Sequence, residues 1–486
     1  MQETNIIKSK VFSNFIWRFA ERCGAQAVNF IVSVILARLL LPSDYGTIAL
    51  LSVFITILNV FVDSGFGNAL IQKKDADDLD FSSVFYFNMV ICLVLYGIVF
   101  VCSPMLAGFY KMPELTAVMR VLSLTIVISG LKNVQQAYIS RTMQFKRFFY
   151  STLAGTIGAA GLGITMAYCG FGVWALVGQQ VFNVFVDTCV LWFTVKWRPK
   201  RQFSIGRLKG LFSFGWKLLV SALLDTVYNN LRQLIIGKKY SADDLAYFNQ
   251  GQKFPNLFVS NINTSIDSVL FPTMSAVQED RTHVKSMTRK AITISSYIMW
   301  PLMVGLVVVA DPLIEVVLTE KWLPCVPYLR IFCITYAFWP IHTANLNAIK
   351  AMGRSDLFLK LEVIKKIVGM VALLTTMCFG PLVMAYSMLA MNVISQIINS
   401  WPNKKLLEYR YMEQLKDIFP SIILSVIMGG IVYSIQFADF GLVLILVLQI
   451  LTGILVYIGL SWLFKLESFY YAYEIIKGVF NKREEE

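Results

Sequence analysis

Apolar runs of about 18 residues or more recur along the whole of the 486-residue sequence, and short polar or charged segments separate them. A run of that length, wound into a helix, is long enough to cross the hydrocarbon core of a bilayer. Charged residues dilute the first, seventh, eighth and eleventh of these runs. The pattern predicts fourteen transmembrane helices, at residues 12–37, 46–71, 82–108, 115–139, 148–168, 172–195, 211–236, 245–273, 288–310, 326–349, 358–379, 382–401, 417–436 and 441–464.

The composition agrees with this pattern, because 57% of the residues are hydrophobic and only 15% are charged. Soluble globular domains contain more charged residues and fewer apolar ones. We therefore predict an all-α polytopic membrane protein with no room for an extramembrane catalytic domain, and hence not an enzyme. Arg18, Glu21 and Arg22 interrupt the first apolar run, so we also expect no cleaved signal peptide.

Lys and Arg are concentrated in every second connection between the predicted helices. Since cytoplasmic loops of membrane proteins carry the excess of basic residues, this asymmetry predicts that both termini are cytoplasmic. The net charge of +13 is then explained by contact between these loops and anionic membrane lipids. We expect no nucleic-acid partner.

The two halves of the sequence resemble each other. LARLLLPSDYG at 36–46 aligns with IGKKYSADDLA at 236–246. Farther along, CSPML at 102–106 parallels ADPLI at 310–314, and RVLSLT at 120–125 parallels RIFCIT at 330–335. A duplicated six-helix unit explains these matches, and an even number of spans gives both copies the same orientation.

We accordingly predict two pseudo-symmetric six-helix lobes, joined by the basic segment 196–209 and followed by two further helices. The predicted boundaries are 1–200 for the N-lobe, 201–410 for the C-lobe, 411–464 for the last two helices and 465–486 for a cytoplasmic tail. In that tail, Phe469, Tyr473, Ile476 and Phe480 recur at helical spacing, which predicts an amphipathic helix on the inner membrane surface.

Polar side chains inside the predicted spans recur at spacings of three and four residues, so they share one face of each helix. A charge in the middle of a bilayer costs about 2.5–3.5 kcal/mol, so these faces are expected to border water or a partner. The first helix of each half carries a basic stripe, and the second carries an amide-rich one. The members are Arg18, Arg22 and Asn29; Asn59 and Asp63; Lys217, Asp225, Tyr228 and Arg232; and Lys253, Asn256, Asn263 and Asp267.

Together with Lys132 of the fourth span, these stripes predict a hydrated central cavity. Basic residues slightly outnumber acidic ones within the spans, which favours an anionic ligand. Simpler interpretations remain open for individual residues. Arg18 can reach the cytoplasmic interface, Glu362 and Lys366 are spaced for an ion pair on one helix, and amide side chains often only bridge helices.

The two six-helix halves, the basic linker, the two trailing helices and RLLLPSDYG at residues 38–46 resemble the oligosaccharide flippases. These proteins are the polysaccharide-transporter branch of the multidrug/oligosaccharidyl-lipid/polysaccharide exporter superfamily. The resemblance implies export of an undecaprenyl-pyrophosphate-linked oligosaccharide of the O-antigen, capsule, exopolysaccharide or teichuronic acid type. Export would run from the inner to the outer leaflet of a bacterial plasma membrane, by alternating access coupled to an ion gradient.

This resemblance also gives the predicted cavity residues roles. Cationic side chains suit the pyrophosphate, amides and a phenol suit sugar hydroxyls, and buried carboxylates suit a coupling ion. The predicted phosphate ligands are Arg18, Arg22, Lys132, Lys217, Arg232 and Lys253. The predicted sugar ligands are Asn29, Asn59, Tyr228, Asn256 and Asn263, and the ion-coupling candidates are Asp63, Asp225 and Asp267. We expect no cofactor besides coupling Na⁺ or H⁺, a monomer, and a polysaccharide polymerase and glycosyltransferases as pathway partners.

Two other functions stay open: a multidrug or other lipid exporter of the same superfamily, and a membrane-embedded polysaccharide polymerase or ligase. The latter needs a sizeable outside loop to hold catalytic groups, and every predicted outside loop is short. No metal site is expected, because KKDADDLDF at 73–81 is interpreted as a solvated acidic turn and the eight cysteines form no CxxC. The glycines of GTIGAAGLG at 155–163 are interpreted as helix-packing positions.

Overall fold

The computed structural model describes residues 24–63, 66–73, 75–142 and 144–471, apart from the side chains at positions 63, 68, 72, 213 and 214. These ranges are almost entirely helical and contain no strand. The helices are α1 (Gly24–Leu39), α2 (Pro42–Asp63), α3 (Phe66–Gln72), α4 (Asp78–Tyr110), α5 (Leu115–Leu122), α6 (Leu124–Thr142), α7 (Lys146–Tyr168), α8 (Val173–Thr194), α9 (Ile205–Lys239), α10 (Ala242–Ala276), α11 (Arg281–Val308), α12 (Ala310–Leu318), α13 (Val326–Ala337), α14 (Trp339–Ala351), α15 (Ser355–Thr376), α16 (Pro381–Leu406), α17 (Tyr411–Ser434) and α18 (Leu442–Leu463).

Nine helices within the described ranges are long and apolar enough to cross a membrane. A tenth span is formed if Ile205–Phe212 and Gly215–Lys239, which meet at a bend of 51°, are counted together. The protein is therefore an all-α, multi-pass membrane protein, as predicted. The count of fourteen crossings is not confirmed, because polar residues dilute α10, charges dilute α15, and a break at Phe338 divides one predicted span into α13 and α14.

The contacts of the chain divide it into two compact units, one ending at Ala246 and the other beginning at Tyr247. The first unit has a core that includes Phe81, Phe85 and Trp197, so the linker residue Trp197 packs with the N-terminal helices. The second unit has separate cores, one around Met274 and Ile341 and another around Tyr297 and Tyr457. The lobe boundaries that the sequence suggests, after residues 200 and 410, stay a prediction.

The aligned segments of the two halves make the same helix cap. Asp44 Oδ2 accepts a hydrogen bond from the Leu41 backbone N–H over 3.0 Å, at the start of α2. Two hundred positions later, Asp244 Oδ2 accepts from the Ser241 N–H over 3.1 Å, at the start of α10. In each case the carboxylate at the third helical position satisfies a backbone donor that the first turn leaves free. The acidic residue of RLLLPSDYG is thus a helix-start residue.

A second shared feature is an arginine that ties two helices together. In the first unit, Arg120 of α5 donates from Nε to Ser103 Oγ (2.9 Å) and to the Phe100 carbonyl (3.2 Å), both on α4. In the second unit, Arg330 of α13 donates from Nε to the Val307 carbonyl over 3.3 Å and pairs with Asp311. The aligned segments therefore make corresponding contacts, which supports the pseudo-symmetry of the two halves.

The glycines of α7 provide close contact with α8. A side chain at Gly155 would lie 2.8 Å from Asn183 Oδ1, and one at Gly163 would lie 3.0 Å from Gln179 Cβ. Helix backbones approach this closely only where residues are small. The helix-packing interpretation of these two glycines is confirmed.

The acidic turn before α4 differs from its prediction, because Asp80 is completely buried. Its Oδ2 lies 2.6 Å from Lys73 Nζ and 3.7 Å from Arg207 Nη1, so two cations offset the buried charge. Asp77 accepts from the Asp80 N–H over 2.9 Å, and Asp80 accepts in return from the Asp77 N–H, which caps α4. The turn is a structural element of the first unit and is only partly solvated.

The basic linker docks on this turn and on the first turn of α4. Lys200 Nζ lies 2.6 Å from Asp78 Oδ2, and the Lys200 backbone N–H donates to Ser82 Oγ over 3.0 Å. The Ser204 N–H donates to Ser83 Oγ over 2.9 Å. We call these contacts, together with the pairing of Arg207 with Asp80, the linker dock.

Candidate functional site

An exposed polar surface runs along α10 in the second unit. Its members recur at spacings of one to four residues over three turns, and all are exposed; they are Asn256, Ser260, Asn261, Thr264, Ser265, Asp267 and Ser268, here called the α10 stripe. In a membrane protein, a polar surface of this kind requires contact with water or with a polar ligand. The α10 stripe is therefore the strongest candidate for a transport surface in the second unit.

The hydroxyls of the α10 stripe are bonded within the helix. Thr264 Oγ1 donates to the Ser260 carbonyl over 2.7 Å, and Ser265 Oγ donates to the Asn261 carbonyl over 2.9 Å. Each hydroxyl oxygen keeps lone pairs for an external donor. The stripe can thus accept hydrogen bonds from sugar hydroxyls without losing helix structure.

Two of the predicted α10 ligands instead bridge to α14. Asn263 is buried, and its Oδ1 accepts from Thr343 Oγ1 over 3.2 Å. Asp267 is exposed but accepts from Asn347 Nδ2 over 2.6 Å. The bridging interpretation that the sequence left open therefore describes Asn263, whereas Asn256 lies in the exposed stripe.

Lys253 lies one turn before Asn256 on the same helix and is half-buried. Because positions 253, 256, 260 and 264 are spaced by three and four residues, its ammonium group belongs to the face that carries the α10 stripe. This arrangement places a cation at one end of a row of neutral hydrogen-bonding groups. Such a row matches a ligand with an anionic end and many hydroxyls.

In the first unit, α9 carries a shorter polar stripe. Lys217, Ser221, Asp225 and Asn229 are exposed at a spacing of four residues, and Tyr228 beside them is half-buried. We call Lys217, Ser221, Asp225 and Asn229 the α9 stripe. The predicted cationic face of this helix is thus solvent-accessible for most of its length.

Arg232 and Asn59 have unsatisfied polar atoms in the interior of the first unit. Arg232 Nε and Asn59 Oδ1 are each buried, and neither has a hydrogen-bond partner among the residues that the structure describes. Buried donors and acceptors usually have partners, so these atoms are candidates for ligand contact. Both residues were predicted from the sequence as cavity residues.

Lys132 was predicted to bind phosphate, but the structure pairs it with an aspartate. Its Nζ lies 2.6 Å from Asp187 Oδ2, and both side chains are largely buried, at 16% and 11% exposure. The ion pair joins α6 to α8 and neutralises the charge that a phosphate would need. We therefore remove Lys132 from the proposed cation set.

Three other predicted residues are not placed. Arg18, Arg22 and the side chain of Asp63 lie outside the described part of the chain, so their predicted roles stay predictions. Asn29 is described and lies exposed on α1. In the ranges that the structure covers, no group of three or more His, Cys, Asp or Glu side chains is arranged to hold a metal ion.

The sequence analysis missed a row of amides on α16. Asn392, Gln396, Asn399 and Asn403 follow one another at spacings of four, three and four residues. Their bonds reach His342 and Asn345 of α14, for example between Asn403 Nδ2 and Asn345 Oδ1 at 2.6 Å. The spacing was visible in the sequence, but most of the row lies in an apolar run, and the charges of Lys404 and Lys405 come only at its end.

Comparison with known proteins places this architecture in a family. A sequence profile described as "Polysaccharide biosynthesis protein" matches residues 35–327, more than half of the chain. The chain is 24% identical to the teichuronic acid biosynthesis protein TuaB of Bacillus subtilis, over 78% of this chain and 79% of that protein. It is 22% identical to the succinoglycan biosynthesis transport protein ExoT of Rhizobium meliloti, over 80% and 79% of the two chains.

Solved structures show the same fold. The lipid II flippase MurJ, in an inward closed conformation, superposes with a TM-score of 0.75 at 16% identity, covering 93% of this chain and 98% of that one. An inward-facing multidrug resistance transporter of the MATE family superposes with a TM-score of 0.61 at 15% identity, covering 79% and 94%. The chain is a member of the polysaccharide biosynthesis protein family and has the fold of the multidrug/oligosaccharidyl-lipid/polysaccharide exporters.

Proposed function

We propose that this protein is a flippase that moves an undecaprenyl-pyrophosphate-linked oligosaccharide from the inner to the outer leaflet of a bacterial plasma membrane. The observation that carries the proposal is the α10 stripe, an exposed row of hydroxyls and amides on a membrane protein. The names of TuaB, ExoT and the lipopolysaccharide biosynthesis protein WzxC of Escherichia coli, 22% identical over 74% of this chain, support a polysaccharide substrate.

The chemistry of the substrate explains why a protein is needed. The pyrophosphate is anionic and the sugars carry many hydroxyls, so neither part enters hydrocarbon without a large desolvation cost. Cationic side chains offset the charge of the phosphates, and we assign this role to Arg18, Arg22, Lys217, Arg232 and Lys253. Hydroxyls and amides replace the water around the sugar, and we assign this role to the α10 stripe with Asn29, Asn59 and Tyr228.

Transport would proceed by alternating access, with both termini in the cytoplasm. An ion gradient would supply the driving force, because moving a lipid-linked sugar between leaflets has no chemical energy source of its own. Asp63, Asp225 and Asp267 are carboxylates within the predicted spans and are candidates for binding a coupling cation or proton.

Export of a multidrug type is the second candidate, since a MATE transporter shares the fold. The charge of the stripes argues against it. Lys253, Lys217 and Arg232 give the polar helices a cationic character, which disfavours the organic cations that a drug exporter of this kind would carry. Efflux of a cationic dye from cells that express the protein would favour multidrug export.

Deletion of the gene provides the cellular test. We expect the lipid-linked oligosaccharide to accumulate on the cytoplasmic leaflet, and expression of the natural protein to clear it. A variant with Asn256→Leu, Ser260→Leu and Thr264→Leu should be inserted and folded, because leucine favours helix and the positions are exposed, but it should not clear the accumulated lipid.

A matched control alters exposed apolar positions of the same helix, Phe258→Leu with Val269→Leu. These changes keep the surface apolar and should leave clearance intact. Clearance by the variant that lacks the polar groups, at the rate of the natural protein, would contradict the proposed transport surface. The absence of any accumulation after deletion would contradict the proposed substrate.

A further inference from the structure

The second unit contains a polar network around His342 that the proposed function does not use. The network joins α14, α16 and the first residue of α17, and its members are His342, Asn392, Gln396, Asn399 and Tyr411. Gln396 and Asn399 are buried, with 0% and 1% exposure, whereas the His342 side chain is half-buried. The ring is therefore bonded by one buried amide, Asn399, and by one half-buried amide, Asn392.

The hydrogen bonds fix which ring nitrogen of His342 carries a hydrogen. The Tyr411 hydroxyl donates to Gln396 Oε1 over 3.0 Å, so Gln396 Nε2 faces Asn392 Oδ1, also at 3.0 Å. Asn392 Oδ1 is therefore an acceptor, and His342 Nε2 at 3.3 Å donates to it. On the other side of the ring, Asn399 Nδ2 donates to His342 Nδ1 over 2.9 Å. The imidazole is neutral, with its hydrogen on Nε2 and an acceptor lone pair on Nδ1.

Asn399 also holds an unused acceptor. Its Oδ1 is buried and has no hydrogen-bond partner within the described ranges, and the same is true of Asn403 Oδ1 one turn along α16. Buried amide oxygens rarely lack a donor. A half-turn of the Asn399 amide exchanges its nitrogen and oxygen, and brings Oδ1 to the position now facing His342 Nδ1. Asn399 can thus donate a hydrogen bond to Nδ1 of the neutral ring and accept one from Nδ1 of the charged ring.

From this geometry we propose that His342 is a reversible proton-binding site. A hydronium ion transfers a proton to Nδ1, so that one of its O–H bonds breaks and leaves water while the N–H bond forms. The Asn399 amide turns so that its Oδ1 accepts a hydrogen bond from the new N–H group. Hydrogen bonds to a charged group are about twice as strong as those to a neutral one, so the turned amide stabilises the imidazolium.

One part of this inference rests on the proposed function. In a flippase driven by an ion gradient, His342 would be the group that couples proton movement to export. The sequence analysis assigned that role to carboxylates instead, at Asp63, Asp225 and Asp267. Proton binding itself does not depend on what the protein transports.

Charged side chains occur on the helices that surround His342. Lys365 of α15 is the cation that acts electrostatically on the ring, and its Nζ is paired with Glu362 Oε1 at 2.5 Å. The pairing partly offsets the repulsion between this lysine and an imidazolium. The other helices around α14 also carry charged groups. These include Asp267, bonded to Asn347; Arg289, paired with Asp417; Lys285, bonded to the Glu408 carbonyl; Lys290, over the Tyr471 ring; Arg330, paired with Asp311; and Lys404 and Lys405 in the last turn of α16.

The composition makes a direct test possible, because the protein contains only two histidines. Replacing the exposed His283 by Gln leaves His342 as the single imidazole of the full-length chain. The protein, with isotope-labelled histidine, is reconstituted in bilayers and titrated by nuclear magnetic resonance. We expect a neutral ring with its hydrogen on Nε2 at high pH, and conversion to the imidazolium as the pH falls.

Variants at position 399 identify the partner. Asn399→Ala should weaken proton binding about tenfold, because the charged ring loses a stronger hydrogen bond than the neutral ring does. Asn399→Asp, which keeps the size of the side chain, should strengthen it by at least about tenfold. Ser400→Ala, at the adjacent buried position, is the control and should leave the titration unchanged. A neutral ring with its hydrogen on Nδ1, or proton binding that neither Asn399 variant alters, would overturn the proposal.

A transport measurement tests the coupling role separately. In proteoliposomes, His342→Gln should still flip lipid-linked oligosaccharide down a concentration gradient, but its rate should no longer respond to an imposed pH gradient. A full response in this variant would rule out His342 as the coupling group. If the natural protein does not flip the lipid at all, the proposed function fails, while the titration still decides whether His342 binds a proton.

Discussion

At the scale of single residues, Gly46 shows why RLLLPSDYG ends in glycine. A Cβ atom at this position would lie 1.8 Å from the Ala242 carbonyl oxygen, inside the first unit. Backbone atoms cannot move aside as a flexible side chain can, so we expect Gly46→Ala to destabilise the protein by about 3 kcal/mol or more. Thermal unfolding of the purified protein in detergent measures the effect.

Gly97 is the matched control, because it is also a helical glycine of the first unit. A Cβ atom there meets nothing within 4 Å. Gly97→Ala should be neutral or stabilise the helix by about 0.5–1 kcal/mol. Equal unfolding temperatures for the two alanine variants would contradict the close approach of α2 and Ala242.

At the residue scale, the sequence predicts which side chains share a helix face, because helical spacing alone decides that. The exposed faces of α9 and α10 follow from the spacing of Lys217, Asp225 and Asn256, since a helix fixes which side chains share a face. Pairings between helices could not be obtained in the same way. The partner of Lys132 is Asp187, 55 positions away, and nothing local in the sequence distinguishes this lysine from a ligand-binding one.

At the scale of elements, the linker dock explains how a basic segment can be structural. Arg207 lies near Asp80 and Asp77, and the hydroxyls of Ser82 and Ser83 accept backbone N–H groups of the linker. A variant with Arg207→Ala and Ser83→Ala should release this segment. We expect trypsin to cleave the detergent-purified variant after Lys200 or Arg201 several-fold faster than it cleaves the natural protein.

Lys209→Ala removes a nearby positive charge outside the dock and is the control for trypsin sensitivity.

The linker dock should also weaken at acidic pH and should not change near neutral pH. The backbone hydrogen bond from Asp80 and, to a lesser degree, the charge of Arg207 hold the pKa of Asp77 below its ordinary value of 3.8. The ionised Asp77 carboxylate stabilises the dock fully above this ordinary pKa. That stabilisation is lost as the pH falls through the lower pKa of the folded state. Release of the linker between pH 5 and pH 7 would contradict this account.

The sequence predicted where helices occur, but it did not predict where a helix is interrupted. Each predicted span coincides with one helix or a pair of helices in the described ranges, because long apolar runs leave the backbone no other way to satisfy its polar groups. The breaks at Ser123 and Phe338 were missed. Both occur inside apolar runs, where hydropathy carries no information about local geometry.

At the scale of the whole molecule, the internal repeat was predictable because it left marks at fixed offsets. Asp44 and Asp244 cap equivalent helices, and Arg120 and Arg330 make equivalent ties. Within the second half of the repeat, α10 carries a longer exposed polar stripe than α9.

Flipping by the purified protein tests the central claim most directly. Proteoliposomes are loaded with undecaprenyl-pyrophosphate-linked oligosaccharide, and the fraction that becomes accessible to a sugar-cleaving enzyme on the opposite side is followed with time. We predict rapid exposure with the natural protein, and at least about tenfold slower exposure with Arg18→Gln, Arg22→Gln and Lys217→Gln combined, because the phosphates lose charge-assisted hydrogen bonds. Exposure no faster than in protein-free vesicles, or an unchanged rate in the triple variant, would contradict the account.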